Sequence, residues 1–333
     1  SRKSTSGGVI KLGKHTIKTW SSTQSVIALS SGEAEYYGMV RGASQGIGMN
    51  KNIVKRIGWI HGQWGLSNQL KLPINDRGIN LGDGIFETIM ILKGKPQLLK
   101  QHLDRWNKSA TLLGMASPPT EAWIKSLIHE GLERTCLKSQ NSIVRLNWSR
   151  GTCSNRGITI PMTTPDPSTH HFWLEIHPGE PLFHPISTII SHDEQRNANS
   201  RLNHFKTFAY GQSIQAKREA QAAGADEALL LSTNGEICCG SNANLIVNRE
   251  NEWLTPHLGS GCLPGIMREQ GLSSGTIKEA TLTALPEKGD QWLLINSLSC
   301  RPIYKLNNHS LKMCTNPKTF WLSLLTEKIT KNY

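Results

Sequence analysis

The chain has 333 residues, of which 37% are hydrophobic and 19% charged, the balance of a globular protein with two or three domains rather than a disordered chain. No apolar run approaches the ~20 residues needed to span a bilayer, so a membrane-spanning role is not expected. The net charge of +12 would suit nucleic acid, but residues 1–55 hold 8 Lys/Arg against 2 Glu and carry half of the excess, so nucleic-acid binding is not the expected function of the whole. Seven cysteines without a C-x-x-C pair point to reduced thiols, with neither a disulfide framework nor a metal site. The expected compartment is therefore the cytoplasm or a plastid. Because the chain opens on Ser1, an upstream start is expected.

In chain order, the first expected elements are strands at Gly8–Leu12 and Thr16–Ser21. A helix should follow from a cap near Ser30 or Ser31. Ser1-Arg2-Lys3-Ser4-Thr5-Ser6-Gly7-Gly8, Trp20-Ser21-Ser22 and Ala28–Tyr36 resemble the ribonuclease H region of copia-type retrotransposon polyproteins over residues 1–49. Ribonuclease H chemistry needs a carboxylate cluster to hold two metal ions. Only Glu35 matches that cluster, so a remnant without nuclease activity is expected. Residues 50–56 read as a junction.

From Ile57 onward the pattern is that of an α/β protein in two lobes, a smaller one over 57–165 and a larger one over 170–333. Leu99, Leu103, Trp106, Ala110 and Leu113 recur at steps of four and three, which predicts an amphipathic helix with Arg105 beside its apolar stripe. Ile143–Ser149 alternates Val144, Leu146 and Trp148 with Arg145, Asn147 and Ser149, as in a half-buried strand. Pro161–Thr169 is the expected connection between lobes. Ala209–Ala223 predicts a helix stopped by Gly224, and Glu227–Leu231 a buried strand.

Two stretches carry the chemistry: Asp76-Arg77-Gly78-Ile79-Asn80-Leu81-Gly82-Asp83-Gly84-Ile85-Phe86-Glu87-Thr88 and Arg201-Leu202-Asn203-His204-Phe205-Lys206-Thr207. Together they resemble the class IV pyridoxal-phosphate enzymes, the family of branched-chain and D-amino-acid transaminases and of aminodeoxychorismate lyase. The resemblance runs to about Leu325 and implies the two-lobed fold type IV, pyridoxal 5'-phosphate as cofactor, a small anionic substrate and a homodimer. It implies that Lys206 carries the cofactor as a Schiff base. The neutral amine is the nucleophile in that chemistry, and Leu202, Phe205 and Phe208 are expected to desolvate it.

His102-Leu103-Asp104-Arg105 is similar to the family's H-L-x-R, which implies that Arg105 grips the cofactor phosphate. Cys262–Arg268 resembles the turn whose backbone N–H groups, here those of Ile266 and Met267, face the same anion. The family places a glutamate against the pyridine nitrogen, five residues before the Asn of an Asn-Leu-Phe strand. In Asn244-Leu245-Ile246 that position is Cys239, and Glu236 lies in the preceding turn. A thiol is a weak hydrogen-bond partner and should weaken transamination more than elimination.

Gly-Ile-Met-Arg, Trp148-Ser149-Arg150-Gly151 with Arg156-Gly157, and Asn296-Ser297-Leu298 are more like the lyase than the transaminases. They imply cofactor contacts at Asn296 and Ser297. Arg150 and Arg156 are then either partners of substrate carboxylates or a merely cationic loop. Thr88 matches a threonine that assists proton delivery, or else is an ordinary buried strand residue. The resemblance implies elimination of pyruvate from aminodeoxychorismate to give 4-aminobenzoate, a step of folate synthesis. A transaminase and a weakened cofactor-binding homologue remain the alternatives.

Overall fold

The structure, a computed structural model, describes residues 5–12, 15–23, 56–152, 157–160 and 164–326. At the start, β1 (Thr5–Leu12) and β2 (His15–Thr23) pair antiparallel as a hairpin, close to the two expected strands. The helix expected after Ser30, and Glu35 within it, lie outside the described residues.

The smaller lobe is a six-stranded sheet built from β3 (Ile57–Ile60), β4 (Gln63–Leu66), β5 (Gly84–Leu92), β6 (Lys95–Pro96), β7 (Ser142–Ser149) and β8 (His171–Pro178) in the order β4-β3-β8-β7-β5-β6. A short helix, α1 (Arg77–Leu81), precedes β5. Two longer ones, α2 (Leu99–Leu112) and α3 (Glu121–Arg134), cover one face. The predicted stripe is the buried face of α2: Leu99, Leu103, Trp106 and Ala110 enter a core with Ile85, Ile89, Ile91, Ile124 and Leu146. The lobe boundary differs from the expected one. β8 pairs with both β7 and β3, so the first sheet runs on to Pro178 and includes the strand that follows the Pro/Thr-rich stretch.

The larger lobe holds β9 (Ile186–Arg196), α4 (Gly211–Ala222), β10 (Glu227–Ser232), β11 (Ile237–Gly240), β12 (Asn244–Arg249), β13 (Glu252–Pro256), α5 (Ile266–Ser273), β14 (Ile277–Ala280), β15 (Gln291–Asn296), β16 (Ser299–Leu306), β17 (His309–Ser310) and α6 (Pro317–Ser323). Its strands follow the order β11-β10-β9-β16-β15-β12-β13-β14, and β11 also pairs with β12. That extra pairing closes six of them into a ring around Ile186, Leu229, Leu245, Leu294 and Ile303. Gly224 takes a left-handed φ of 69° and ends α4, as its position after the alanine-rich run predicts. Among the described residues no helix is long and apolar enough to cross a membrane.

One short segment fastens the lobes together. The Lys206 carbonyl accepts from Phe86 N–H at 2.9 Å, and Phe208 N–H donates to the Gly84 carbonyl at 2.9 Å. Residue 84 must be glycine for this to happen, because a Cβ there would lie 2.3 Å from the Phe208 ring. The backbone that carries Lys206 thus docks on β5, the central strand of the other lobe's chemistry.

Candidate active site

A cavity of about 540 Å³ opens where that segment meets β5, β7, β11 and the start of α5. This is within the range of small-molecule sites. Strand alternation decides what faces it. On β5, Phe86 and Thr88 face the cavity, whereas Ile85 and Ile89 point into the core beneath α2. Thr88 pairs across the sheet with Arg145 of β7, and paired residues share a face, so Arg145 enters the cavity as well.

Lys206 lies in the cavity wall, half-buried. Its Nζ donates to Tyr210 Oη at 2.9 Å and sits 4.4 Å from the centre of the Phe86 ring. The close aromatic cover therefore comes from Phe86 and Tyr210, neither of which the sequence reading assigned. Leu202 is 55% exposed. Arg145 also lies over the Phe86 ring, 3.6 Å from its centre, with its Nε donating to Asn147 Oδ1 at 2.8 Å.

Arg105 reaches the cavity from α2 and is held from behind. Its Nε donates to Glu87 Oε1 at 2.8 Å, its Nη2 to Glu87 Oε2 at 2.6 Å and its Nη1 to the Pro264 carbonyl at 2.9 Å. His102 Nδ1 lies 2.6 Å from Glu87 Oε2, and its Nε2 is 3.1 Å from Ser297 Oγ. Burial opposes ionisation of Glu87, but the Arg105 charge and the His102 hydrogen bond overcome it and hold the carboxyl at about 2. Burial pushes the His102 pKa down. A neutral His102 then donates from Nδ1 to Glu87 and accepts at Nε2 from the Ser297 hydroxyl. Glu87 was not singled out from the sequence, although it lies next to Thr88 in the first motif.

The start of α5 borders the cavity beside Arg105, with Gly265 and Ile266 in the wall. Its first N–H groups have no partner within the helix, so they are free to meet an anion. Met267 is not in the wall; its side chain is buried in the core with Ile246 and Leu293. Gly265 is required here: a Cβ would come within 1.9 Å of Asn244 Oδ1, and Asn244 Nδ2 in turn holds the Leu263 carbonyl at 2.8 Å.

Asn296 and Ser297 both border the cavity. The Asn296 side chain is committed to the local turn, accepting from Leu298 N–H at 2.8 Å and Ser299 Oγ at 3.0 Å. Cys239 lies in the wall, and Glu236 does not; Glu236 pairs with His257 at 2.9 Å. At this point of the wall a cysteine, not a glutamate, borders the cavity.

Arg150 requires correction. Its Nε donates to Asp83 at 2.8 Å, and its Nη1 and Nη2 to the carbonyls of Gly114 and Leu113 at 2.7 and 2.9 Å. It is buried and does not line the cavity, and it holds the loop after α2. Arg77 donates to the same Asp83 oxygen at 2.8 Å. The first motif's Asp83 is therefore a structural hub. Arg156 lies outside the described residues.

One end of the cavity thus offers a guanidinium and a helix start, and Lys206 offers a primary amine. This donor set fits a molecule that carries both a phosphate and an aldehyde. Residues 84–306 match the family described as Amino-transferase class IV.

The chain belongs to that family. Class IV enzymes depend on pyridoxal phosphate, and the pyridoxal-phosphate-bound form of a hypothetical aminotransferase from Mycobacterium tuberculosis shares this fold (TM-score 0.66, 18% identity, 81% of this chain and 97% of that one). The structure is also similar to a putative 4-amino-4-deoxychorismate lyase of Legionella pneumophila (TM-score 0.68, 25% identity, 78% of this chain and 96% of that one). In sequence, the chain is 25% identical over 285 residues to an aminodeoxychorismate lyase of Bacillus subtilis, covering 82% of this chain and 94% of the relative. It is 27% identical over 223 residues to branched-chain-amino-acid aminotransferase-like protein 2 of Arabidopsis thaliana, a match that covers 64% of this chain and only 38% of that protein's length.

Proposed function

We propose that this class IV chain is an aminodeoxychorismate lyase, releasing pyruvate from 4-amino-4-deoxychorismate to leave 4-aminobenzoate. The observation that carries this choice is Cys239 in the cavity wall with Glu236 turned away. A sulfur there holds a proton on the cofactor's ring nitrogen less firmly than a carboxylate would. Transamination needs that electron-withdrawing power throughout its longer course. Elimination is driven by the aromaticity of its product and tolerates the loss. The B. subtilis lyase, matched over nearly its whole length, supports the same reading.

Pyridoxal phosphate, when bound, supplies electron withdrawal from the carbon that bears the substrate amine. Arg105 and the start of α5 hold its phosphate. Lys206 Nζ, kept in place by Tyr210, takes the proton from the amine-bearing ring carbon as general base. The carbon–oxygen bond to the enolpyruvyl group breaks, and Thr88 relays a proton to the departing fragment. Arg145 takes the place first assigned to Arg150 as the partner of a substrate carboxylate, because its guanidinium faces the cavity beside Thr88.

The same reading includes a homodimer. Ile74, Ile79, Leu81, Leu112 and Leu202 are exposed. Arg201, next to Leu202, donates to the Leu112 carbonyl at 3.0 Å. An apolar patch of this kind suits a homodimer contact, and sedimentation of Ile79→Lys against the parent chain tests it.

The deciding assay mixes purified protein, pyridoxal phosphate and aminodeoxychorismate and identifies the products. Equimolar 4-aminobenzoate and pyruvate support the lyase. Glutamate formed from 2-oxoglutarate and an amino acid, without 4-aminobenzoate, would favour a transaminase, the activity named for the D-alanine aminotransferase of Bacillus licheniformis, 26% identical over 201 residues.

A further inference from the structure

The sheet face that carries Phe86 and Thr88 continues past the cavity. Two rows of paired residues cross it. In one, Thr88 of β5 pairs with Arg145 of β7, Arg145 with Glu175 of β8, and Glu175 with Gly58 of β3; in the other, Phe86, Asn147, Trp173 and Ile60 follow in the same strand order. Paired residues share a face of their sheet. A second cavity of about 230 Å³ lies along the β7, β8 and β3 part of these rows, and Arg145 borders both cavities. The turn after β4 closes onto this face. The N–H groups of Gln69 and Leu70 donate to the Leu66 carbonyl at 2.8 and 3.3 Å. Leu70 fills the space left by two glycines, because a Cβ at Gly58 would lie 2.7 Å from Leu70 Cδ1 and one at Gly65 3.1 Å from its Cδ2. This turn brings Ser67 and Lys71 to the second cavity.

The polar groups of its wall are short of partners. Ser67 Oγ is buried and has no hydrogen-bond partner among the described residues. An orphaned hydroxyl of this kind is costly unless something outside the chain satisfies it. Arg145 is half-buried, and its Nε is spent on Asn147. Among the described residues neither of its terminal nitrogens has a hydrogen-bond partner, and no carboxylate pairs with it. Glu175 is the one carboxylate of this wall, and it pairs with Arg56 at 3.6 Å. Lys71 is exposed and adds a second cation. Ile60, Leu70 and Trp173 supply apolar surface between these groups.

We propose that the second cavity is a subsite for a small 2-oxo carboxylate: the enolpyruvyl end of the substrate before cleavage, and pyruvate after it. Two cations, a hydroxyl donor and a short apolar surface are what a carboxylate on a two-carbon stem requires. Arg145 meets the carboxylate from the side of the first cavity, Lys71 from the outer side, and the Ser67 hydroxyl donates to one of its oxygens. The fragment's carboxylate then lies beyond Arg145, and its carbon end is turned back toward Thr88. This deepens the lyase reading and rests on it for the identity of the fragment. It assigns substrate specificity to Ser67 and Lys71, which lie outside both sequence motifs.

The test is a titration of pyruvate into the full chain, with and without pyridoxal phosphate, read by saturation-transfer NMR on the pyruvate methyl group. The parent protein should bind pyruvate saturably, and cofactor added to occupy the Arg105 end should not displace it. Ser67→Ala should weaken binding by about fivefold or more, and Lys71→Ala by about threefold or more. Ser67→Ala should meanwhile keep or raise the melting temperature, because it removes a buried hydroxyl that has no partner in the chain. Lys71→Ala changes an exposed position and decides the matter even if Ser67→Ala does not fold. Absence of saturable binding, displacement by the cofactor, or binding that neither substitution weakens overturns the subsite. The product assay separates the two claims. Pyruvate binding that depends on Ser67 and Lys71, without formation of 4-aminobenzoate, keeps the subsite and sinks the lyase; 4-aminobenzoate formed by a chain that does not bind pyruvate does the reverse.

Discussion

Glu87 grips Arg105 with both carboxylate oxygens, at 2.8 and 2.6 Å, from beneath the floor of the cavity. The glutamate is 1% exposed and the arginine remains accessible to the cavity. A cation aimed at an anionic ligand is thereby oriented by a buried anion behind it, and His102 and Ser297 extend the grip to the other lobe.

Glu87→Gln should leave the Arg105 charge without its partner. Breaking one side of a buried pair costs about 3–5 kcal/mol. Urea unfolding should show that loss, and the affinity for pyridoxal phosphate, followed by absorbance, should fall by about tenfold or more.

The same residue sets an acid limit. Its carboxyl sits at about 2 in the folded chain, below the ordinary value of 4.5. The stabilisation is therefore complete above the unfolded pKa and is lost as pH falls from that value toward 2. It amounts to about 3 kcal/mol. Urea midpoints of the parent chain should drop over this window, and those of Glu87→Gln should drop by less.

Gly265→Ala should damage the phosphate end directly. The new methyl would meet Asn244 Oδ1, so the turn before α5 must move. Overpacking of this kind costs about 1–3 kcal/mol. Cofactor dissociation should accelerate by tenfold or more on the same scale, which dialysis with absorbance would measure. An unchanged release rate would show that the turn does not face the anion.

Arg145 and Arg150 lie on one strand and its exit, and their variants should part company. Arg145→Gln should raise KM for the anionic substrate by about tenfold or more with little change in melting temperature. Arg150→Gln should lower the melting temperature, because Asp83 and the Leu113 and Gly114 carbonyls lose their donors. Steady-state kinetics and thermal unfolding of the two variants distinguish the roles.

Much of this is legible in the sequence where the signal is local. The α2 stripe, the strand around Val144 and Leu146, the Gly224 stop and Lys206 each depend on residues within a few positions. The errors have a common cause. Arg150 looks available in its short motif, but its partners are Asp83 and a loop after α2, which only the folded sheet brings near. Arg145 owes its place in the cavity to the cross-strand register with Thr88. Arg196 and Tyr210 border the cavity through the packing of α4 on β9 and β10. The lobe boundary is hidden for the same reason: nothing local in His171–Pro178 says that it pairs back to Ile57–Ile60.

The central claim is that the amine of Lys206 bonds to pyridoxal phosphate in this cavity. Its most direct measurement is peptide mapping by mass spectrometry after borohydride reduction of the purified protein mixed with the cofactor. The account predicts a pyridoxyl group on the peptide carrying Lys206, absent from Lys206→Ala together with the visible absorbance. Labelling spread over other lysines, or undiminished in Lys206→Ala, would contradict it.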